Sequence, residues 1–314
     1  MNIRLDIPED FYKEEVRTGW TVTAHMKRVW AVQLDLLHEL QRVCEKHHLT
    51  YFADSGTLLG AVRHQGYIPW DDDIDIVMKR ADYDRLVKLG PAEFSHPYFL
   101  QNAHSEVFPR GYSRLRNSDS TALTEFDLGK DINHGIFIDI FPLDHVPDDE
   151  NVKKKWLKKI DLLYKTLKVG TAERSASYRG LSKGIKYRLY RMAVKTAGYG
   201  RLVRYYEHVC RKYNDRPTER ISYIAYSRGK EKHLWKRECF DSSHNVPFEF
   251  MEINIPDGYD SRLTVEYHDY MKIVRSSTAH GTMVLEPDVP YEKFLKEHSS
   301  QEIMNMMQGD GTEA

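Results

Sequence analysis

Four aspartates, Asp71, Asp72, Asp73 and Asp75, lie within a stretch of five residues. Ile74 separates Asp73 from Asp75, and Ile76 and Val77 follow Asp75. Isoleucine and valine side chains favour burial. Carboxylates crowded beside a core repel one another and raise each other's pKa unless a cation is near. A hard divalent metal ion with oxygen ligands keeps such groups ionised. The stretch therefore predicts a metal site, because a solvated acidic surface, the common alternative, would not alternate with isoleucine.

A second carboxylate shares this design. Asp139 lies between Ile138 and Ile140 in a segment that is typical of a buried strand. Side chains at i and i+2 of a strand point the same way, so Asp73 and Asp75 would project from one face of their own strand. If the two strands are neighbours, three carboxylates meet at one edge of the sheet. Such a set can bind one or two metal ions that activate a hydroxyl and stabilise a leaving phosphate oxygen.

The segment before the acidic stretch could bind phosphate. Gly56 and Thr57 open a predicted short helix, where free backbone N–H groups favour an anion. Arg63 and His64 end the same helix, and a guanidinium there could take part of the phosphoryl charge. Each residue also has a structural alternative. Gly56 could simply begin a helix, Arg63 could pair with the aspartates, and His64 could be a surface histidine.

The elements that must position these residues predict an α+β fold, a mixed sheet flanked by helices. Strand and helix periodicities alternate along the first half of the chain. The predicted elements are a long helix over residues 21–47 with Thr21 as its N-cap, strands over 49–53, 74–78 and 135–142, with Pro142 ending the last, and helices over 58–63 and 80–88.

Composition divides the chain into four expected regions. A catalytic core over residues 18–150 precedes a basic, tyrosine-rich helical insertion over 151–219. Residues 220–298 are expected to complete the core, and residues 299–314 form a polar tail that we expect to be flexible. Within the insertion, the basic segment from Lys183 to Arg204 either contacts an anionic membrane or is a solvated helix exterior.

The bulk composition excludes several classes of protein. With 314 residues, 41% hydrophobic and 30% charged, the chain is typical of a globular protein, and a net charge of −1 predicts no nucleic-acid partner. Cys44, Cys210 and Cys239 are too far apart for a zinc module or a disulfide scaffold, which fits a reducing compartment. The first residues lack a signal-peptide pattern. We therefore expect a cytoplasmic protein, with peripheral contact at the inner face of the cell membrane as an option.

Two long blocks of the sequence resemble the LicD family, to which the fukutin-related proteins are also similar. They are residues 56–76, GTLLGAVRHQGYIPWDDDIDI, and residues 134–144, HGIFIDIFPLD. The resemblance implies a nucleotidyltransferase-like fold. It also implies transfer of a phospho-alcohol such as phosphocholine from a CDP-linked donor, CDP-choline for example, to a sugar hydroxyl, with release of CMP. The acceptor would be a cell-surface glycan or lipid-linked glycan of a teichoic acid, lipopolysaccharide or capsule.

The resemblance and the residue patterns together give each position an expected role. Asp72 is the exception among the four aspartates and is expected to face away. The expected ligands of Mg²⁺ or Mn²⁺ are Asp71, Asp73, Asp75 and Asp139, and the expected catalytic residues are Asp73, Asp75, Asp139, Arg63 and His64. The donor phosphates would be bound by Ser55, Gly56, Thr57 and Arg63. Choline would contact Trp70, Tyr67 and Tyr112, unless these rings simply pack the loop.

Two other readings of the sequence remain open. A nucleotidyltransferase, or a sugar transferase with an Asp-x-Asp metal site, would use similar carboxylates. A non-catalytic nucleotide-binding protein on the same scaffold is the third option. The sequence does not distinguish choline, ethanolamine, glycerol and ribitol as the alcohol, and it names neither the glycan, the number of metal ions nor the oligomeric state.

Overall fold

The structure is a computed structural model that describes residues 1–172, 181–229, 233–275 and 283–309. In these ranges the helices are α1 (Ala24–His47), α2 (Ser55–His64), α3 (Arg80–Glu93), α4 (Glu150–Thr171), α5 (Leu181–Ala197), α6 (Tyr199–Cys210), α7 (Ile224–Ser227), α8 (Tyr259–Tyr267), α9 (Tyr291–Glu297) and α10 (Ser300–Gly309). The strands are β1 (Glu15–Arg17), β2 (Trp20–Val22), β3 (Phe52–Ala53), β4 (Asp75–Lys79), β5 (Tyr98–Gln101), β6 (Ser113–Asn117), β7 (Thr121–Thr124), β8 (Ile136–Val146), β9 (Arg220–Ser222), β10 (Trp235–Lys236), β11 (Ser243–Phe248), β12 (Met251–Pro256) and β13 (Met283–Glu286).

A seven-stranded mixed sheet forms the centre of the fold, as the α+β prediction required. Its main path runs β10–β9–β8–β4–β3, and β6 pairs with both β8 and β5. Strand β8 is parallel to β4 and antiparallel to β6 and β9. Helices flank the sheet, and α1 packs a long row of buried aliphatic side chains against it. The two strands that carry the conspicuous aspartates are therefore direct neighbours.

Several predicted boundaries of these elements are wrong. Helix α3 does not end at residue 88 but continues through Pro91 to Glu93, and β3 spans only Phe52–Ala53 where a strand over 49–53 was predicted. Strand β8 does not end at Pro142 but continues to Val146, because β4 pairs with it at Pro142 and β9 takes over from Asp144. A proline removes only one donor, and its fixed φ is compatible with extended backbone. Helix α1 is capped not by Thr21, which lies in β2, but by Thr23, whose hydroxyl accepts a hydrogen bond from the backbone N–H of Met26 at 3.2 Å.

The segment after β8 folds into three helices, α4, α5 and α6. Trp156 of α4 is buried and donates to the carbonyl of Val209 in α6 at 2.6 Å. Helices α5 and α6 are separated at Gly198, whose φ of +82° is in the region that favours glycine. The described chain then returns to the main sheet through β9 and β10.

The C-terminal region packs onto the N-terminal half. Strands β11 and β12 form a hairpin, and β13 pairs with β7. The expected flexible tail begins with an ordered helix instead: Ile303 and Met307 of α10 are buried, and they pack in one cluster with Phe294. Their spacing of four residues places both on one face of the helix. Residues 310–314 lie outside the described part. Among the described helices, none is both long and apolar enough to cross a membrane.

Candidate active site

Helix α1 holds the backbone of the acidic loop in place. The indole Nε1 of Trp30 donates to the carbonyl of Asp71 at 3.0 Å, and Nε2 of Gln33 donates to the carbonyl of Asp72 at 2.7 Å. The two donors are three residues apart and so share one face of the helix. The acidic loop begins with a turn, in which the backbone N–H of Asp71 donates to the carbonyl of Ile68 at 2.9 Å. The loop therefore presents its carboxylates from a fixed backbone.

Three ionisable side chains lie in one row across three strands. The strand register pairs Asp75 of β4 with Asp139 of β8, and pairs Asp139 with Arg114 of β6. Residues paired across a sheet project from the same face, so their side chains meet. The condition that the strands of Asp75 and Asp139 are neighbours is therefore met. The sequence analysis did not include Arg114.

Arg114 forms an ion pair with Asp139 inside the protein. Its Nε lies 2.7 Å from Oδ1 of Asp139, and both side chains are almost fully buried. The guanidinium also stacks over the ring of Phe137, 3.7 Å from its centroid. Burial opposes the charge of Arg114, but the neighbouring carboxylate of Asp139 raises the pKa of the guanidinium above its usual value. Asp139 thus has a cationic partner beside it within the sheet.

The other carboxylates repel one another. Burial, followed by the charges of Asp73 and Asp72, raises the pKa of Asp71 well above its ordinary value. Burial also raises the pKa of Asp75, to which Asp73, Asp139 and Asp54 add. Both directions have the cause that the sequence analysis proposed, which is negative charge concentrated beside a core.

Three carboxylates are close enough to share a divalent cation. One oxygen each of Asp71, Asp72 and Asp73 lies within 4.8 Å of the other two. Asp72 was expected to face away, and it does not line the main cavity. Its carboxylate nevertheless belongs to this cluster. Oxygen-only donors fit a hard ion such as Mg²⁺ or Mn²⁺, because a cation would relieve the repulsion that raises the pKa of Asp71.

The start of α2 lies against the acidic loop. A side chain at Gly56 would place its Cβ 2.4 Å from Oδ2 of Asp71, so glycine is required for this approach. Ser55, beside it, has a φ of +47°, which is uncommon for a residue other than glycine. Such strained backbone clusters at functional sites. Ser55 and Gly56 both line the main cavity, as expected for donor-phosphate contacts.

Thr57 has a structural contact in the same region. It is buried, and its Oγ1 accepts a hydrogen bond from the backbone N–H of Asp75 at 2.8 Å. The backbone N–H of Asp54 donates to the carbonyl of Asp75 at 3.0 Å. The first turn of α2 is thereby fastened to the start of β4. Thr57 therefore aligns these elements and does not line the cavity.

Arg63 and His64 lie at the other end of α2. The guanidinium of Arg63 donates to the carbonyls of Tyr270 and Lys272, at 2.8 and 3.2 Å, while its Nε lies 3.0 Å from Nε2 of His64. Burial, and then the charge of Arg63, lowers the pKa of His64 below its ordinary value, which favours the neutral ring. Arg63 lines the cavity, whereas His64 does not.

A cavity of about 680 Å³ opens in front of the carboxylates. This volume lies within the usual range for a site that binds a small ligand. Its ionisable lining residues are Asp71, Asp73, Asp75, Asp139, Glu266, Asp269, Arg63, Arg110, Arg114, His233, His268 and Lys272. Its aromatic lining residues are Trp70, Tyr112, Phe126, Phe141, Tyr223, Tyr226, Tyr267 and Tyr270. The cavity combines acidic, basic and aromatic surfaces.

The three predicted choline-contacting rings separate into two groups. Trp70 and Tyr112 line the cavity. Tyr67 is buried and stacks on Trp30 with ring centroids 4.3 Å apart, and its hydroxyl donates to Gln33 at 3.1 Å. Tyr67 thus packs the core behind the loop, which was the structural alternative for these rings.

A second aromatic group, which the sequence analysis missed, forms another part of the cavity lining. Tyr226 of α7 packs on Phe141 with centroids 5.2 Å apart and meets Tyr112 edge to face at 6.0 Å. Its side chain is 48% exposed. Burial, followed by the nearby Tyr112, Asp75 and Asp139, raises the pKa of Tyr226 to about 12. No local sequence signal indicated this, since α7 is one turn long and comes from a distant part of the chain.

Part of the chain is similar to a known protein family. The LicD/FKTN/FKRP nucleotidyltransferase domain matches residues 48–167, which include the acidic loop, β4 and β8. The matched stretch is shorter than half of the chain. The lipopolysaccharide cholinephosphotransferase LicD of Haemophilus influenzae is 27% identical over 248 residues, which cover 77% of this chain and 89% of that protein.

Two uncharacterized proteins give shorter matches. An uncharacterized protein of Rickettsia prowazekii is 34% identical over 113 residues, covering 36% of this chain and 39% of the relative. An uncharacterized protein of Rickettsia typhi is 49% identical over 56 residues, or 18% of each chain. The domain match and the similarity to the Haemophilus influenzae protein support a transferase.

Proposed function

We propose that this protein transfers a phospho-alcohol, phosphocholine in the first instance, from a CDP-linked donor to a sugar hydroxyl of a cell-surface glycan, and releases CMP. The observation that carries the proposal is the set of carboxylates Asp71, Asp73, Asp75 and Asp139 on one wall of a ligand-sized cavity in a LicD-family domain. The name of the Haemophilus influenzae relative supports phosphocholine as the cargo and lipopolysaccharide as the acceptor class.

The acidic wall is suited to a diphosphate with its metal ion. Asp71, Asp72 and Asp73 would hold Mg²⁺ or Mn²⁺, with Asp75 and Asp139 on the adjoining strands. When bound, the ion supplies Lewis-acid stabilisation of charge on the donor phosphates. Ser55 and Gly56 present the first turn of α2 to the donor, where backbone N–H groups favour an anion.

The transfer requires one bond to form and one to break. The oxygen of the acceptor hydroxyl attacks the phosphorus that bears the alcohol, and the bond from that phosphorus to the oxygen bridging it to CMP breaks. CMP leaves with the electron pair, and the proton of the hydroxyl passes to a carboxylate of the Asp75–Asp139 pair. Arg114 fixes the position of Asp139 and balances its charge. Alignment of the reacting groups then accounts for much of the rate.

The aromatic wall supports a cationic alcohol. Tyr112, Phe141 and Tyr226 pack together beside the carboxylates, and Trp70 lines the cavity as well. The face of an aromatic ring attracts a quaternary ammonium group. Choline carries this group, ethanolamine carries a primary ammonium that is more strongly hydrated, and glycerol and ribitol are uncharged, so this wall favours choline among the four alcohols.

A panel of donors tests the proposal. The purified protein is incubated with CDP-choline, CDP-ethanolamine, CDP-glycerol or CDP-ribitol, a lipopolysaccharide or teichoic acid acceptor, and Mg²⁺ or Mn²⁺. We expect CMP release and a phosphocholine-modified acceptor with CDP-choline. Adding a chelator should abolish both, and excess Mg²⁺ or Mn²⁺ should restore them. Asp73→Asn should lower turnover by roughly 100-fold or more, in the range measured when one electrostatic contact to a transition state is removed.

A matched variant controls for the substitution itself. Asp161→Asn makes the same chemical change on α4, where Asp161 pairs with Lys165 away from the cavity lining. It should retain full turnover. Near-full turnover of Asp73→Asn would refute the assignment, and pyrophosphate release from a nucleoside triphosphate would instead identify a nucleotidyltransferase. Binding of CDP-alcohols without any turnover would favour a non-catalytic nucleotide-binding protein.

A further inference from the structure

Helix α5 exposes a stripe of apolar side chains. Ile185, Leu189 and Met192 are 51%, 54% and 56% exposed. Their spacing of four and then three residues places them on one face of the helix. The opposite face is packed: Tyr187 is buried and donates to the carbonyl of Ala172 at 3.2 Å. The stripe is therefore an outward face and not a displaced part of the core.

Basic side chains border this stripe on both sides. At 100° per residue, Lys186 falls on one side of the stripe, and Arg188 and Lys195 fall on the other. All three are exposed. The sequence of α5 contains no aspartate or glutamate. The outer face of α5 thus has an apolar centre with positively charged edges.

The surrounding region carries the same sign of charge. Residues 151–216 contain 19 lysines and arginines but only four aspartates and glutamates, although the whole chain has a net charge of −1. Positive charge is therefore concentrated in the part of the chain that includes α5. An asymmetric charge of this kind attracts a negatively charged surface.

Lipid fits this face better than other anionic partners. An amphipathic helix with an aliphatic stripe and basic flanks lies in the interface of a bilayer, with its stripe at the headgroup boundary and its basic side chains at the phosphates. Single-stranded nucleic acid would instead require stacking rings, and the centre of this face is formed by Ile185, Leu189 and Met192.

We propose that the outer face of α5 docks on an anionic lipid bilayer. The contact would be peripheral and independent of the chemistry in the cavity. It would bring a transferase for surface glycans to the surface on which lipid-anchored acceptors are found.

Vesicle flotation tests this proposal with the full chain. We expect the protein to float with vesicles of equimolar phosphatidylglycerol and phosphatidylcholine, to stay at the bottom with phosphatidylcholine alone, and to detach as salt is raised. Each basic residue near an anionic surface strengthens binding about fivefold. The variant Lys186→Gln, Arg188→Gln, Lys195→Gln should therefore bind on the order of 100-fold more weakly. The variant Ile185→Ser, Leu189→Ser, Met192→Ser should lose flotation although its charge is unchanged.

Two control variants make the same changes elsewhere. Lys13→Gln, Lys236→Gln, Lys293→Gln removes three exposed lysines outside residues 151–216, and Val16→Ser, Val107→Ser, Val265→Ser removes three exposed valines. Both should float like the parent. Circular dichroism and CMP release with a soluble acceptor show that each variant is folded, and they also separate this proposal from the transfer activity.

Three outcomes would overturn the proposal. The α5 variants could float like the parent, or the control variants could lose binding to the same extent. The parent could also fail to float while sedimentation shows a dimer that the α5 serine variant converts to a monomer. In that last case the stripe is a contact between two copies of the chain.

Discussion

The carboxylates of the site have different electrostatic surroundings. Asp139 has a cationic partner, Arg114, whereas the pKa of its cross-strand neighbour Asp75 is raised by burial and by surrounding aspartates. One carboxylate thus has a counter-charge within the protein, and we propose that a bound cation neutralises the others, Asp71 and Asp73 among them. This division explains how so many aspartates fit beside one core.

The Arg114–Asp139 pair makes a testable prediction about stability. Arg114→Met should destabilise the protein by roughly 3–5 kcal/mol, because Asp139 would remain buried without a counter-charge. Arg114→Met combined with Asp139→Leu should recover most of that loss, since replacing both members of a buried pair is often close to neutral. Denaturant unfolding measures both free energies, and the double variant should remain inactive in transfer.

A strictly additive result would contradict this view of the pair. If the double variant is destabilised by the sum of the two single substitutions, the two side chains are not coupled. The single variant Asp139→Leu completes the cycle and must be measured under the same conditions.

At the scale of elements, the first turn of α2 and the acidic loop fit together through Gly56. Gly56→Ala should displace the carboxylate of Asp71, because the new Cβ would lie 2.4 Å from its Oδ2. We expect turnover to fall by roughly 10-fold or more, as expected for a small misplacement of a catalytic group, while the protein remains folded. Steady-state CMP release and thermal unfolding measure the two effects.

Gly200→Ala is the matched control for this substitution. Gly200 lies in α6, where an added Cβ would meet only the end of the Arg204 side chain, at 3.5 Å. It should leave turnover unchanged, and alanine should stabilise the helix by about 0.5–1 kcal/mol. Equal turnover in the two variants would show that the approach of α2 to Asp71 does not matter for transfer.

The sequence predicted the local part of the site well. Alternation of isoleucine and aspartate placed Asp73, Asp75 and Asp139 on strands. Asp75 and Asp139 lie on β4 and β8, whereas Asp73 lies in the loop before β4. Their pairing could only be stated as a condition, because the residues are far apart in the chain and a local pattern does not specify strand partners. The structure supplies that partner through the register of β4 and β8.

The residues that were missed depend on long-range packing. Arg114 stands in Ser-Arg-Leu-Arg-Asn, where alternating arginines resemble the exposed face of a strand, yet all five residues of β6 are buried between β5 and β8. Tyr67 was considered for choline because it adjoins the aspartates, but α1 supplies Trp30 as its stacking partner. The helix after Ser299 escaped prediction because its polar residues outnumber Ile303 and Met307, which only tertiary contacts bury.

At the scale of the whole molecule, the C-terminal region closes the cavity around groups from the N-terminal half. The buried guanidinium of Arg262 forms two hydrogen bonds to the carboxylate of Asp54, at 2.8 and 2.7 Å. Arg17 forms a similar pair with Glu249. Residues of α8 and the segment after it, including Glu266 and Tyr270, then line the cavity. Recognition of the substrates thus depends on contacts between distant parts of the chain.

Arg63 of α2 binds the segment that follows α8, here called the closing segment (residues 268–275). Substituting Arg63 tests how firmly this segment is held. Arg63→Gln should release the carbonyls of Tyr270 and Lys272, which its guanidinium binds at 2.8 and 3.2 Å. A hydrogen bond from a charged group contributes about 1.5–3 kcal/mol, so local opening should become roughly 10-fold or more frequent. Hydrogen–deuterium exchange should therefore accelerate in peptides covering residues 266–275.

Arg42→Gln is the control, because it removes a guanidinium that donates to the carbonyl of Glu93 at 3.1 Å. It should leave the exchange of those peptides unchanged. If Arg63→Gln abolishes transfer without faster exchange there, Arg63 acts on the donor phosphates directly and not through the closing segment.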